Sequence, residues 1–396
     1  MPICIFCQKP IGDKKAPEHI LLNAFGGRAT TSQIICAPCN NRFGGTIDRE
    51  LAEQFVQVRN LFEMPSGTGS PAPAMKNMQA GDRRINISGS GEITLSNKKF
   101  NVEEIEEGKF SIQLEGHNLE QIEALIPHMA ARTGITEQRL REQLAASTFT
   151  ETQMPAGTIQ LSLSYGGEVA FRAATKACMV LWAKHVGNQE LLHSDFGAAR
   201  NFVSNGDAKF LEERTFVDTR LIPEQARIQN AYGPLFNLIH VSSDPIGKVT
   251  GHFTAYNLIG FQIVLAERSN KPNTVSALVN NPLDPRIWSA EDLDTFESVR
   301  GWNQAPQIEM EKYEYRHSEM MKHYLKIADQ RALQMLISEV FAEHGIKEDQ
   351  AIPRELFQQI SCELGTVLAH HALRVPLTKE VAPEIIARRF RCPPLS

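Results

Sequence analysis

Two cysteine pairs, Cys4-Ile5-Phe6-Cys7 and Cys36-Ala37-Pro38-Cys39, enclose Glu18-His19 and run directly into Asn40-Asn41. Two residues between paired cysteines let both sulfurs of one tight turn face a single tetrahedral ion, and two such turns complete a four-thiolate shell at Zn–S distances of about 2.3 Å. The spacing therefore predicts a structural zinc site on Cys4, Cys7, Cys36 and Cys39. The gap from Cys7 to Cys36 exceeds the commonest zinc-ribbon spacing and leaves room for a hairpin that carries other side chains. No charged start followed by an apolar run opens the chain, so no secretory leader is expected and the cysteines are read as reduced and cytoplasmic, with redox cysteines as the alternative to zinc. Cys178 and Cys362 stand alone in apolar helical stretches and read as buried thiols, and Cys392 receives no role.

Between the pairs lie Pro17-Glu18-His19-Ile20, then Gly26-Gly27, then Ile34-Ile35; after the second pair come Asn40-Asn41-Arg42-Phe43-Gly44. In this order of residues the segment resembles the HNH endonucleases, the zinc-knuckle branch of the ββα-metal nucleases. The resemblance implies that Glu18 is the acidic metal ligand, His19 the general base and Asn40 the final, metal-binding position. The place of the family's middle asparagine is held here by Thr31, whose hydroxyl can make a shorter version of the same loop-tying hydrogen bond. Asn41 is an alternative for the metal role, and Asp48 is close enough in sequence to add an oxygen ligand.

The residue types suit that chemistry independently. Hydrolysis of a phosphodiester needs an activated water and a cation to neutralise charge building on phosphate and leaving oxygen. Histidine, with an ordinary pKa near 6.5, is matched to taking a proton at neutral pH. Glu18 and Asn40 are hard oxygen donors that favour Mg²⁺ or Mn²⁺, so two cofactors are implied, a structural zinc and a catalytic Mg²⁺ or Mn²⁺. The plain alternative is a zinc ribbon that binds nucleic acid without cutting it.

After the second pair, Ile47, Leu51, Phe55, Val58 and Phe62 recur at helical steps, which predicts one amphipathic helix over Thr46–Phe62 with Thr46 as N-cap. Lys14, Lys15, Arg28, Arg42, Arg49 and Arg59 are candidate phosphate contacts. Residues 1–62 hold seven Lys+Arg against five Asp+Glu, a balance of +2 in a chain whose net charge is −5, so affinity for DNA is expected from a local patch and not from bulk charge. No stretch reaches the roughly 18 apolar residues of a membrane span.

The predicted fold class is α+β: the zinc-stabilised ββα-metal module over 1–62, a Gly/Pro/Ser-rich linker over 63–82, a mixed α+β domain for targeting or sensing over 83–305, and a helical region over 306–396. Strands are expected at 84–88, 92–95, 109–114, 158–165, 235–242, 249–256 and 259–266, and helices over 118–145, 168–185, 309–344 and 354–372. His185, His193, His240 and His252 read as structural, and the Gly166-Gly167 pair as a turn. The basic cluster Arg388-Arg389-Phe390-Arg391, with Arg374 before it, reads as solvated.

The implied function is a metal-dependent endonuclease acting on DNA. An HNH module fused to a large unmatched partner also resembles bacterial restriction and antiphage defence effectors. Two readings compete with constitutive cleavage: a nuclease gated by a signal molecule or regulatory protein at the middle domain, and the non-catalytic module. A homodimer, which would bring two sites to two strands, is the expected assembly if both strands are cut.

Overall fold

The computed structural model describes residues 2–12, 17–96, 99–153, 159–291, 297–305, 310–347, 350–373 and 375–390. Lys14, Lys15, Arg374, Arg391 and Cys392 lie outside the described residues. Helix and sheet are mixed, at 45 % and 22 %, consistent with the expected α+β class. The chain forms two compact units, one of Met1–Ala74, Ser88–Gly91 and Leu161–Tyr324, the other of Met75–Ile87, Glu92–Gln160 and Leu325–Ser396.

In the first unit, β1 (Glu18–His19) pairs antiparallel with β2 (Thr30–Thr31), and three short helices come next: α1 (Ala37–Gly45), α2 (Ile47–Gln54) and α3 (Val56–Leu61). The predicted single helix over Thr46–Phe62 is thus corrected to two. Its apolar stripe is where expected, since Ile47, Leu51, Phe55, Val58 and Phe62 are all buried. Thr46 departs from helical geometry (φ −125°, ψ −96°), and its hydroxyl donates to Arg42 O at 2.7 Å instead of capping α2. Phe55 (φ −107°, ψ 11°) makes the second break.

The rest of this unit is a helix on a sheet. α4 (Gly167–Val186) is buried from Ala170 to Ala183 apart from Arg172, as its run of alanines with Cys178, Met179, Leu181 and Trp182 requires. It packs on a six-stranded antiparallel sheet made of β3 (Thr215–Asp218), β4 (Asn237–Ser243), β5 (Val249–Ala255), β6 (Ile259–Ala266), β7 (Val275–Asn280) and β8 (Trp288–Glu291), in the order β8-β7-β4-β5-β6-β3. Every residue of β4, β5 and β7 is buried, because the sheet is covered on both faces. On one face Phe171 of α4 meets Phe261 edge-on at 5.3 Å, and Gly251 lies so near Cys178 that a Cβ there would sit 2.8 Å from its sulfur. On the other, Leu238, Ala277 and Val279 pack with Val299 and Trp302 around the helix α5 (Glu297–Asn303).

The two histidines of the sheet are buried. His240 and His252 stand opposite each other across β4 and β5, and His252 bonds Thr254 Oγ1 through Nε2 at 2.6 Å while its ring meets Trp302 at 4.7 Å.

Among the described residues the second unit shows two apolar cores. Helices Leu119–Glu123, Ile126–Thr133 and Glu137–Ala145 bury Ile122, Ile126, Met129, Leu140 and Leu144 with Ile386 and Phe390. The predicted continuous helix over 118–145 is interrupted by Pro127 at a helix start and by Gly134 in the left-handed region (φ 72°). Val340, Ile346, Ile360 and Val367 form the other core, between helices Met310–Glu343 and Arg354–Leu373. Small sheets accompany them: Met75–Ala80 with Arg83–Ile87 and Ile93–Leu95, the hairpin Lys99–Glu106 and Lys109–Glu115, and Thr150–Gln153 with Leu377–Glu380.

Two further expectations are corrected. The segment 63–82 is no free linker: Met64 and Ser66 are buried, Asn60 Nδ2 donates to Pro73 O at 2.7 Å, and Met75–Ala80 is a strand. The alternating segment at 158–165 contributes one isolated bridge, Ile159 to Ala80; Tyr165 instead stacks on Phe55 at 4.5 Å.

Candidate active site and zinc site

The zinc ligands are set by two turns. Cys4 N donates to Lys9 O and Gln8 N to Cys4 O, with Gln8 in the left-handed region (φ 57°), which curls Cys4 and Cys7 round one point. Cys36 is the N-cap of α1, so Cys39 falls in the first helical turn beneath it. The four sulfurs lie within 4.8 Å of one another, with Cys7 Sγ 3.5 Å from Cys36 Sγ. A tetrahedron of Zn–S bonds of about 2.3 Å needs sulfurs roughly 3.8 Å apart, so the cluster is placed to hold a zinc ion. Burial pushes the Cys4 thiol up, and Cys39 likewise, so a metal cation is the natural counter-charge for these sulfurs as thiolates. Among the described residues this is the one group of three or more Cys, His, Asp or Glu ligand atoms that converges in this way.

Sequence reasoning missed a second support for the turns. Asn188, just after α4, donates Nδ2 to Ile3 O at 2.8 Å and to Gln33 O at 2.7 Å, clasping the chain before each knuckle.

β1 and β2 set the register of the reactive segment: Glu18 faces Thr31 and His19 faces Thr30. The loop between them turns through Gly26 in the left-handed region (φ 81°), and Gly27 passes so close to Leu21 that a Cβ would stand 1.9 Å from its carbonyl oxygen. Asn23 then fixes this loop from outside. Its Oδ1 accepts from Thr68 N at 3.0 Å, its Nδ2 donates to Thr68 Oγ1 at 3.3 Å, and Gly67 N donates to its carbonyl at 2.8 Å. Sequence reading did not single out Asn23, which appears there only as an asparagine within the loop.

A side-chain hydrogen bond links α1 to the start of the hairpin. Asn40 Nδ2 donates to Pro17 O at 3.4 Å, two residues before His19. His19 is half-buried, and burial pushes its pKa below the ordinary histidine value, with the nearby Lys176 ammonium acting in the same direction. Its imidazole is neutral at neutral pH, the form a general base requires.

Glu18 turns inward and is 3 % exposed. Its Oε1 accepts from Lys176 Nζ at 2.5 Å, and the same ammonium bonds Asp48 Oδ2 of α2. Lys176 belongs to the middle of α4 and is 1 % exposed, with its Nζ 5.9 Å from the Phe43 ring. Burial pulls the Lys176 ammonium down, but the carboxylates of Asp48 and Glu18 outweigh it and hold it above the ordinary lysine value. Burial likewise raises the Glu18 carboxyl, against the pull of Lys176.

A divalent cation fits this donor set in two respects. Two carboxylates face one ammonium, leaving one negative charge over, and Asp48 Oδ1 is buried without a hydrogen-bond partner among the described residues. Asn41 is exposed.

The candidate phosphate contacts divide. Arg28 and Arg42 are exposed, Arg42 lying 4.8 Å over the Phe43 ring, and Arg49 is exposed beside Glu53 at 3.5 Å. Arg59 is corrected: at 8 % exposure it is part of the core near Tyr256 and not a surface cation. The Gly166-Gly167 pair, expected as a turn, instead opens α4: Gly166 is its N-cap, held in a reciprocal pair by Gln54, whose Nε2 donates to Gly166 O at 2.9 Å and whose Oε1 accepts from Gly166 N at 3.0 Å.

Among the described residues no helix is long and apolar enough to cross a membrane. Comparison with curated proteins and with solved structures finds no match to the chain. Residues 4–56, which contain both cysteine pairs, the Glu18-His19 strand and Asn40, match the family model of the HNH endonucleases.

Proposed function

We propose that this protein is a metal-dependent endonuclease that hydrolyses DNA phosphodiester bonds at the cluster of His19, Glu18 and Asn40. One observation carries the reading: within a segment matching the HNH endonucleases, a half-buried histidine kept neutral follows Glu18 in β1, the Glu18 and Asp48 carboxylates share the Lys176 ammonium, and the Asn40 amide bonds the Pro17 carbonyl two residues before His19. His19 takes the proton of the attacking water. Glu18 and Asn40, with Asp48 sharing the Lys176 ammonium with Glu18, would hold Mg²⁺ or Mn²⁺, which would supply neutralising charge at the scissile phosphate. Zinc on Cys4, Cys7, Cys36 and Cys39 fixes the frame, and Arg28 and Arg42 offer cations for flanking phosphates.

The biological setting we assign is bacterial restriction or antiphage defence, on the analogy of architecture alone, with the region beyond residue 56 as the part that selects DNA or receives a signal or regulatory protein.

Cleavage of supercoiled plasmid by wild type and His19→Ala, with and without Mg²⁺ or Mn²⁺, tests the proposal. Loss of the base should lower the rate by about 10²- to 10⁴-fold while zinc stays at one per chain. Equal cutting by both proteins, or binding of plasmid by wild type with no cutting in either metal, would sink the assignment.

A further inference from the structure

The acid next to the proposed base is not left to the HNH segment itself. Its counter-ion comes from α4, the buried helix of the sheet layer, far outside residues 4–56. Lys176 reaches Glu18 and Asp48 at once, with all three side chains largely withdrawn from solvent, at 1 %, 4 % and 16 % exposure. Stability alone gives little reason for such an arrangement. Apolar side chains of similar size in place of a buried ion triad are commonly neutral or stabilising, because the desolvation of three charges offsets their attraction. What an ammonium does here that an apolar group cannot is hold two carboxylates that would otherwise repel, and cancel one of their charges.

We propose that Lys176 is a positioning residue of the nuclease site: it fixes Glu18 and Asp48 relative to each other and sets their net charge, so that the pair takes up one divalent cation loosely enough to exchange. The inference rests on the nuclease reading for its activity readout but not for its metal readout. It makes the HNH segment dependent on the sheet layer for a working site, and α4 the element through which the rest of the first unit acts on catalysis. Phe43 of α1 lies near the same ammonium, so all three supports of the site, β1, α1 and α2, meet one side chain of α4.

The test compares full-length, zinc-loaded wild type, Lys176→Met and His19→Ala by Mn²⁺ titration followed by electron paramagnetic resonance, by plasmid cleavage over a range of Mg²⁺, and by thermal melting. Removal of the internal counter-ion should tighten Mn²⁺ binding by at least about tenfold and lower kcat by about 10- to 100-fold, with KM for plasmid nearly unchanged. A lysine with a purely structural role would lower Tm and leave Mn²⁺ affinity and the rate per folded molecule at wild-type values; unchanged Mn²⁺ binding overturns the proposal whatever the rate. If wild type does not cut but Lys176→Met still tightens Mn²⁺ binding, the positioning role stands and the nuclease reading falls. Should Lys176→Met not fold, Lys176→Met/Asp48→Asn restores the charge balance and is compared with Asp48→Asn alone. A further loss of at least about tenfold in kcat supports the role, and equal rates overturn it.

Discussion

The ring of Phe25, in the loop between the two strands of the HNH segment, lies 4.9 Å from the ring of Tyr256 at the end of β5. Phe25 also meets Phe55 at 5.3 Å and Phe253 at 5.9 Å, both edge-on, and its carbonyl accepts from Asn237 and Asn280. One fully buried side chain thus joins the reactive hairpin, α2 and the sheet. Phe25→Ala should destabilise the first unit by about 3–5 kcal/mol, since the cavity it leaves is walled by strands that cannot collapse. Urea unfolding followed by tryptophan fluorescence measures it. A loss below about 1 kcal/mol would mean that the hairpin and sheet are energetically separate.

Zinc should hold the same frame from its other end. Cys36→Ser removes a ligand at the N-cap of α1, which carries Asn40. The expected outcome is less than one zinc per chain, new protease cuts within residues 1–62, and cleavage lowered by at least about tenfold. Metal content and limited proteolysis check it; normal zinc and an unchanged digest would contradict the four-cysteine site.

Acid should weaken the sheet through His252. Burial lowers its pKa from the ordinary value to about 4, against the opposing pull of Asp218. The unfolded chain takes up a proton near pH 6.5 that the folded chain refuses until about pH 4, so stability is fully present above pH 6.5 and falls as pH drops through that window. The slope is about 1.4 kcal/mol per pH unit and the total about 3 kcal/mol. His19, also lowered, acts in the same direction. His252→Gln should flatten most of this dependence; urea midpoints for both proteins at pH 7.5, 5.5 and 4.5 decide it, and identical slopes would refute the assignment.

The sequence by itself determined the chemistry-bearing segment. Cysteine spacing dictates which sulfurs can share an ion, and the order Glu18-His19, Gly26-Gly27, Asn40 is local enough to be read along the chain. Apolar runs did the same for α4 and for strands β4 to β6, where burial on all sides leaves a continuous hydrophobic stretch, and helical period did so for the C-terminal helices. Polar strands such as Met75–Ala80 and Thr215–Asp218 left no such trace, and the helix over Thr46–Phe62 was broken by Thr46 and Phe55, whose conformations answer to tertiary packing.

Only the tertiary structure decided what surrounds the site. Lys176 reads in sequence as one cation in an apolar helix, and Asn188 and Asn23 as ordinary polar residues. Nothing local says that Lys176 will meet Glu18 and Asp48, because that pairing depends on how α4 lies against the hairpin. Contacts between residues so far apart leave no periodic mark on either partner. The same holds for Arg59, which has the composition of a phosphate contact and the burial of a core residue. The residue types fixed which chemistry is available, and the long-range packing fixed the charge and geometry under which it can run.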